Sequence, residues 1–190
     1  MRKTRLYIIP GAGETTRAKN YREVIKSAKK HNLEVVPVNI NWSTKMDMTD
    51  YIEQAYKKIP KNIFNDYVLG FSLGAYIAAT LTKTKNAKGY IFCSLSPYFK
   101  ENLKDIPKES KKFWGPKMMK SFKKYSFPAK QTGRAWFLIG KKDWGIAIKA
   151  NKAFCKEWQG KKNMFLINHA GHELGHKNYT KKIKSIIEKL

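Results

Sequence analysis

The chain has 190 residues, of which 42% are apolar, and it carries a formal net charge of +25 at pH 7. This length and apolar content predict one domain with a buried core and exclude a disordered chain, and no stretch approaches the roughly 20 apolar residues of a membrane-spanning helix. The charge comes from 34 lysines and only 5 arginines spread along the whole chain, which favours a lysine-coated surface over specific nucleic-acid recognition, where arginine is preferred.

Short apolar runs alternate with amphipathic segments along the chain. The first part predicts a strand at residues 5–9, a helix at 18–31 and a strand at 33–38. A helix follows at 48–59, with Asp47 or Thr49 as its cap. The later segments are predicted as strands at 67–69, 89–93, 134–139 and 163–167 and as helices at 75–81, 146–158 and 180–190.

The alternation of strands with helices indicates the fold class. Strands that are apolar on both faces predict a parallel sheet covered on two sides. We therefore predict a three-layer, doubly wound α/β fold with six strands in the order 2-1-3-4-5-6. In such open sheets, ligands bind at the carboxyl ends of the strands.

One segment, residues 96–130, interrupts this alternation and contains four prolines and many aromatic residues. A segment of this length inside a compact domain is usually functional or has helices of its own. We expect a short cap over the active site, with a helix within residues 113–124, in a single domain that spans residues 1–190. The alternative is an excursion that only packs on the surface.

The two cysteines, Cys93 and Cys155, fall in a strand-like run and a helix-like run. We expect both to be buried structural thiols. Two cysteines fit a reducing cytosol better than a disulfide framework, and the apolar run at residues 6–9 is too short for a signal peptide. We therefore expect a cytoplasmic protein.

Residues 70–74 read Gly-Phe-Ser-Leu-Gly, a G-x-S-x-G element between a predicted strand and a predicted helix. In that context the element indicates a nucleophile elbow, a sharp turn that holds Ser72 in a strained backbone conformation between small neighbours. The hydroxyl would lie at a helix N-terminus, where backbone N–H groups favour a developing oxyanion. The alternative is a glycine-bounded turn in which Ser72 caps the helix.

A serine hydroxyl needs a base to take its proton, and the base needs a third group to orient it. Asp143 follows the fifth predicted strand and His172 follows the sixth, so both are expected at the same sheet edge as Ser72. The chain order serine, aspartate, histidine is the one expected of this architecture. His169, three residues before His172, is an alternative base.

With these residues the chain resembles the α/β-hydrolase superfamily over nearly its full length. The resemblance implies that Ser72 is the nucleophile, His172 the base and Asp143 the orienting acid. The two N-terminal strands of larger members are missing, which implies a minimal six-stranded version. The resemblance implies no metal and no organic cofactor.

The resemblance also implies an oxyanion hole made of backbone N–H groups. One donor would be Leu73, and the other would come from the loop at residues 10–13, with Ala12 as the first candidate and Gly11 as the second. This loop reads Pro-Gly where many relatives have His-Gly. Four aromatic residues are candidates for the substrate pocket: Phe71, Trp42, Trp144 and Trp114.

A competing motif overlaps the histidine loop, because residues 172–176 read H-E-x-x-H, a zinc-protease signature. The extended form of that motif needs glycine and histidine where this chain has Tyr179 and Lys182. Gly171 also predicts a loop at His172 rather than a helix. A zinc-dependent hydrolase with His172, Glu173 and His176 is therefore the weaker alternative.

Together these patterns predict a serine hydrolase that acts on carboxylic esters or related acyl compounds through an acyl-enzyme. Its partner would be a small acyl or ester substrate, with no specific nucleic acid and no membrane span. The main alternative is a catalytically idle hydrolase scaffold that acts as a binding module, since fold and function can separate.

Overall fold

A single parallel sheet forms the centre of the computed structural model, which describes residues 2–131 and 133–190. Its six strands have the order β2-β1-β3-β4-β5-β6, as predicted. The strands are β1 (Arg5–Ile9), β2 (Glu34–Pro37), β3 (Asn62–Phe71), β4 (Asn86–Cys93), β5 (Arg134–Gly140) and β6 (Lys162–Ile167). The helices are α1 (Arg22–Lys30), α2 (Met48–Lys58), α3 (Leu73–Leu81), α4 (Lys108–Phe122), α5 (Gly145–Glu157) and α6 (Lys177–Ile187).

Helices cover both faces of the sheet, which gives the three-layer α/β fold. Side chains alternate between the faces along each strand. In β1, Tyr7 and Ile9 join the core beneath α2, α3 and α5, whereas Leu6 and Ile8 join the core beneath α1 and α6. Both faces of the central strands are therefore buried, which is why these strands contain continuous apolar runs.

The sheet has a topological switch point between β1 and β3. The chain leaves β1 toward β2 on one side and returns as β3 on the other. In the register of this pair, Ile9 lies opposite Gly70, and this is the last paired position of the two strands. Ligands bind at such a crevice in open α/β sheets, so the loops after β1 and β3 define where a site is expected.

The long segment 96–130 has helices of its own. A 3-10 helix, Lys100–Asp105, precedes α4, which begins five residues before the predicted helix 113–124. The backbone of α4 is kinked at Gly115, which has a φ of +70° and is followed by Pro116. Glycine tolerates this left-handed conformation, and proline cannot continue the hydrogen-bond ladder of the preceding turn.

Aromatic packing anchors the segment to the helical layer beneath it. Phe99 stacks on Tyr76 of α3 with ring centroids 4.3 Å apart, and Phe127 stacks on Phe154 of α5 at 4.4 Å. Such pairs each contribute about 0.5–1.5 kcal/mol beyond the apolar area they bury. The segment is therefore packed against the domain, and its function as a cap stays a proposal.

Both cysteines are free and buried, as expected. Cys93 is the last residue of β4, where burial raises the pKa of its thiol above the ordinary value. Cys155 lies in α5, and burial raises the pKa of its thiol as well. Over the ranges 2–131 and 133–190, none of the helices combines the length and the apolar character needed to cross a membrane.

Candidate active site

Ser72 lies in a sharp turn between β3 and α3, with φ 54° and ψ −121°. A positive φ is strained for a residue with a β-carbon and persists only where the surroundings enforce it. A β-carbon at Gly70 would lie 2.5 Å from the Cα of Ala75, and one at Gly74 would lie 2.2 Å from the carbonyl oxygen of Ile9. The two glycines therefore allow the turn, and the Ser72 side chain makes no capping hydrogen bond to α3.

The imidazole of His172 lies between Ser72 and Asp143. Its Nε2 is 2.8 Å from the Oγ of Ser72, and its Nδ1 is 3.1 Å from each carboxylate oxygen of Asp143. Because a carboxylate only accepts, Nδ1 carries the hydrogen and Nε2 is left to accept the serine proton. His169 is exposed in the turn after β6, so His172 is the histidine that reaches Ser72.

The Asp143 side chain is fully buried. Burial acts to raise the pKa of this carboxyl group, but hydrogen bonds from His172, Ser94 and the Trp144 N–H outweigh it and hold the pKa below the ordinary value. The Trp144 N–H donates to Asp143 over 2.8 Å. The carboxylate is therefore ionised at neutral pH and can stabilise an imidazolium on His172.

Ser94, which helps to lower the pKa of Asp143, pairs with Tyr179, and neither residue was predicted from the sequence. Both are fully buried, and the Oγ of Ser94 lies 3.1 Å from the hydroxyl of Tyr179. Tyr179 donates to the carbonyl of Leu138 over 2.6 Å. Ser94 directly follows β4 at the same sheet edge as Ser72, and this position was the signal that could have identified it.

A partly buried hydrogen-bond network holds the loop after β1. The Tyr21 hydroxyl donates to the Oε2 of Glu14 over 2.5 Å and accepts the Gly11 N–H over 2.9 Å. Asn20 donates to the other oxygen of Glu14 over 2.9 Å. Burial and the Glu14 carboxylate raise the pKa of Tyr21 well above its ordinary value, so it remains a donor throughout the physiological range.

This network bears on the oxyanion donors expected in the loop. The N–H of Gly11 is engaged by Tyr21, which argues against it as a donor to a substrate. In the part of the chain that the structure describes, the N–H groups of Ala12 and Leu73 have no acceptor. Leu73 is the first residue of α3, where backbone N–H groups have no partner within the helix.

Two of the four predicted pocket aromatics pack against the imidazole. The ring centroids of Phe71 and His172 are 5.2 Å apart, and those of Trp144 and His172 are 5.9 Å apart with nearly parallel planes. Phe71 also lines a polar cavity of about 320 Å³ that His172 shares with Glu14 and Glu173. Trp144 itself is half exposed. Because Phe71 and Trp144 both pack against the imidazole, they limit the freedom of the histidine ring.

The other two predicted aromatics, Trp42 and Trp114, line a separate cavity of about 510 Å³. Ala12 and Gly13 form one wall, the segment between β2 and α2 forms a second, and α4 forms the third. The apolar side chains of this cavity are Trp42, Met46, Tyr51, Phe113, Trp114 and Met118.

The H-E-x-x-H motif does not form the zinc-site geometry, which needs both histidines on one helical turn. Residues 172–176 are not helical, and α6 begins only at Lys177. Both ring nitrogens of His172 face Asp143 and Ser72, and Nδ1 of His176 accepts the Asn178 N–H at the helix start. No group of three His, Cys, Asp or Glu side chains that could hold a metal occurs among the described residues.

Comparisons with known proteins give structural but no sequence relatives: no protein-family model and no curated protein matches the chain. Alpha/beta hydrolase domain-containing protein 10 from mouse aligns with a TM-score of 0.80 at 12% identity, covering 100% of this chain and 90% of the mouse protein. FphF, the fluorophosphonate-binding serine hydrolase F of Staphylococcus aureus, aligns with a TM-score of 0.66 at 16% identity over 98% of this chain and 84% of its own.

An esterase from the archaeon Pyrobaculum calidifontis aligns with a TM-score of 0.68 at 13% identity, covering 99% of this chain and 77% of the esterase. At such identities a likeness carries the fold alone. The strand order, the turn at Ser72 and these alignments agree with one another. The chain is therefore a protein of the α/β-hydrolase fold.

Proposed function

We propose that the protein is a serine hydrolase that cleaves carboxylic esters or related acyl compounds through an acyl-enzyme. The observation that carries the proposal is the 2.8 Å separation of Ser72 Oγ from Nε2 of a histidine whose Nδ1 faces a buried, ionised aspartate. This arrangement turns a weakly nucleophilic hydroxyl into an effective nucleophile. The descriptions of two structural neighbours, a serine hydrolase and an esterase, support the same class.

In the first half-reaction, Ser72 Oγ attacks the substrate carbonyl carbon while Nε2 of His172 takes the hydroxyl proton. The carbonyl oxygen becomes an oxyanion, for which Leu73 and Ala12 supply the proposed N–H donors; each such donor lowers the barrier by roughly 3–4 kcal/mol. Asp143 stabilises the imidazolium and does not itself become protonated. The carbon–oxygen bond to the leaving group then breaks, and His172 gives its proton to the departing alcohol.

In the second half-reaction, water attacks the acyl group on Ser72 and gives its proton to His172. The tetrahedral intermediate collapses, the carboxylic acid leaves, and the proton returns to the Ser72 oxygen. The residues of the protein therefore end the cycle as they began it. No step requires a group that the chain does not supply, apart from substrate and water.

Turnover of p-nitrophenyl acetate by Ser72→Ala tests the proposal, with Ser185→Ala on α6 as a matched control. We expect Ser72→Ala to lower kcat/KM by at least about 10³-fold, and Ser185→Ala to match the wild type. Unchanged turnover in Ser72→Ala would contradict the proposed nucleophile. A wild type without turnover of any ester would instead favour the idle scaffold.

A further inference from the structure

We propose that the 510 Å³ cavity between the loop after β1 and α4 binds the acyl group of the substrate, so that the enzyme prefers uncharged, apolar acyl groups longer than acetyl. This inference rests on the proposed function. It assigns the segment 96–130 a part in substrate selection, through the side chains that α4 contributes to the cavity.

The position of Ala12 connects the cavity to the reaction. Ala12 lines the cavity, and its N–H is the proposed donor to the carbonyl oxygen. The acyl chain is attached to that same carbonyl carbon, so it must begin at the rim of the cavity. The leaving oxygen must instead approach Nε2 of His172 to receive its proton. The alcohol part of the substrate therefore extends toward the separate polar cavity that His172 lines.

The walls of the cavity are aromatic and thioether side chains. Trp42 packs against Tyr51 with centroids 4.5 Å apart, and Phe113 packs edge-on against Trp114 at 5.0 Å. Aromatic and methionine side chains bury apolar ligands well and adapt to their shape. The charged lining residue Lys117 donates a hydrogen bond from its ammonium to the carbonyl of Lys45, so part of its donor capacity is already used by the protein. Apolar walls of this kind favour an uncharged hydrocarbon chain.

The cavity is formed before substrate binds, because the end of α4 and the turn after it are tied to the start of α2. The N–H of Met48 donates to the Oγ of Ser121 over 3.1 Å in a buried bond, and Lys124 donates to the Oγ1 of Thr49 over 3.3 Å. A preformed cavity of about 510 Å³ lies within the usual range for small-ligand sites. Little ordering is therefore needed when an acyl chain enters.

The expected size of the preference follows from burial. Each buried methylene contributes about 0.8 kcal/mol, which is about fourfold in kcat/KM if the contact is made in the transition state. Extending acetyl to hexanoyl adds four methylenes, so the gain should be on the order of 10²-fold. The gain should level off once the chain fills the cavity.

The test is the kcat/KM series for p-nitrophenyl acetate, butyrate, hexanoate and octanoate. Thr44 is exposed and lines the cavity, so Thr44→Trp should fill it and lower the hexanoate-to-acetate ratio at least tenfold. Thr84 is also exposed but lies in the turn before β4, at the opposite end of the strands. Thr84→Trp is therefore the matched control and should keep the wild-type ratio.

Phe113→Ala is a second variant, which removes part of the cavity wall. The Phe113 side chain is 78% exposed, so its loss should not prevent folding. It should lower the same ratio about threefold, and far-ultraviolet circular dichroism should be unchanged. Equal ratios in Thr44→Trp and Thr84→Trp would overturn the assignment. A flat acyl series with Ser72-dependent turnover would overturn the acyl assignment alone, whereas absence of Ser72-dependent turnover with every ester would overturn the proposed function as well.

Discussion

Replacing Tyr21 by phenylalanine removes one oxygen atom from the network that holds the proposed oxyanion loop. Tyr21 is fully buried, and its hydroxyl both donates to Glu14 and accepts from the Gly11 N–H. Without that oxygen, Gly11 retains only its longer, 3.3 Å bond to Glu14. The carboxylate of Glu14 loses its shortest hydrogen bond but keeps the one from Asn20.

The magnitude follows from the charge on Glu14. A hydrogen bond to a charged group contributes about 1.5–3 kcal/mol net, so the free energy of unfolding should fall by about that amount. For a domain of this size the melting temperature should then fall by about 3–12 °C. The loop that presents Ala12 also becomes less well fixed, so kcat should fall about 10- to 100-fold, which is less than the loss of a whole oxyanion donor.

Thermal unfolding and steady-state hydrolysis of p-nitrophenyl butyrate measure the two effects. Tyr56→Phe is the matched control, since Tyr56 is 44% exposed on α2 and has no part in the site. A positioning role predicts that kcat falls while KM changes little, and that Glu14→Gln, which keeps an acceptor for Tyr21, restores part of the activity lost in Glu14→Ala. A Tyr21→Phe variant with wild-type kcat and melting temperature would refute this reasoning.

Three further predictions concern the carboxylate and the elbow. Asp143→Asn should lower kcat/KM by about 10³- to 10⁴-fold, because the amide no longer fixes the histidine tautomer; a loss under tenfold in steady-state assays would contradict this. The pKa of Asp143 is held below its ordinary 3.8, so its ionised form stabilises the fold above about pH 4, and this contribution is lost as the pH falls through the lowered pKa. Denaturant titrations should therefore show that the difference in free energy of unfolding between wild type and Asp143→Asn becomes smaller in acid. A difference that grows in acid would contradict this prediction. Gly74→Ala would place a β-carbon 2.2 Å from the Ile9 carbonyl oxygen and 2.3 Å from that of Pro10, so the free energy of unfolding should fall by more than about 4 kcal/mol. In the control Gly145→Ala nothing lies within 4 Å of the added β-carbon, so this variant should remain folded. Equal stability of the two variants would count against the packing argument.

The topology could be predicted because the helical segments have a clear hydrophobic period, the strands contain short apolar runs, and the right-handedness of parallel crossovers leaves few strand orders. The start of β3 was predicted too late. Its first half contains Asn62, Asn65 and Asp66, and the polar pattern there gives no strand signal. The buried carboxylate of Asp66 instead accepts the backbone N–H of Arg5 over 2.9 Å, a contact between distant residues that no local pattern contains.

The site was predictable to the extent that its residues follow strands. Ser72, Asp143 and His172 each come shortly after a strand end, and parallel strands of one sheet end at the same edge. The structure brings these side chains within hydrogen-bonding distance, and their catalytic roles stay predictions. The short H-E-x-x-H match was misleading because the helix begins only after its last histidine.

Two supporting tyrosines, Tyr21 and Tyr179, were beyond sequence reasoning. Tyr21 reads as one more apolar position of an amphipathic helix, yet its hydroxyl reaches across to the loop after β1. Tyr179 lies just before the predicted helix 180–190, yet its hydroxyl donates to the carbonyl of Leu138 in β5 and contacts Ser94. Such contacts depend on how α1 and α6 pack on the sheet, which a hydrophobic period does not specify.

Labelling with a fluorophosphonate probe, followed by peptide mass spectrometry, tests the central claim most directly. The activated oxygen of Ser72 should displace fluoride from the probe, giving one adduct on the peptide that contains Ser72. The adduct should be lost in Ser72→Ala and form at least about 10²-fold more slowly in His172→Ala. An adduct on another residue, or a wild-type protein that remains unlabelled, would contradict the account.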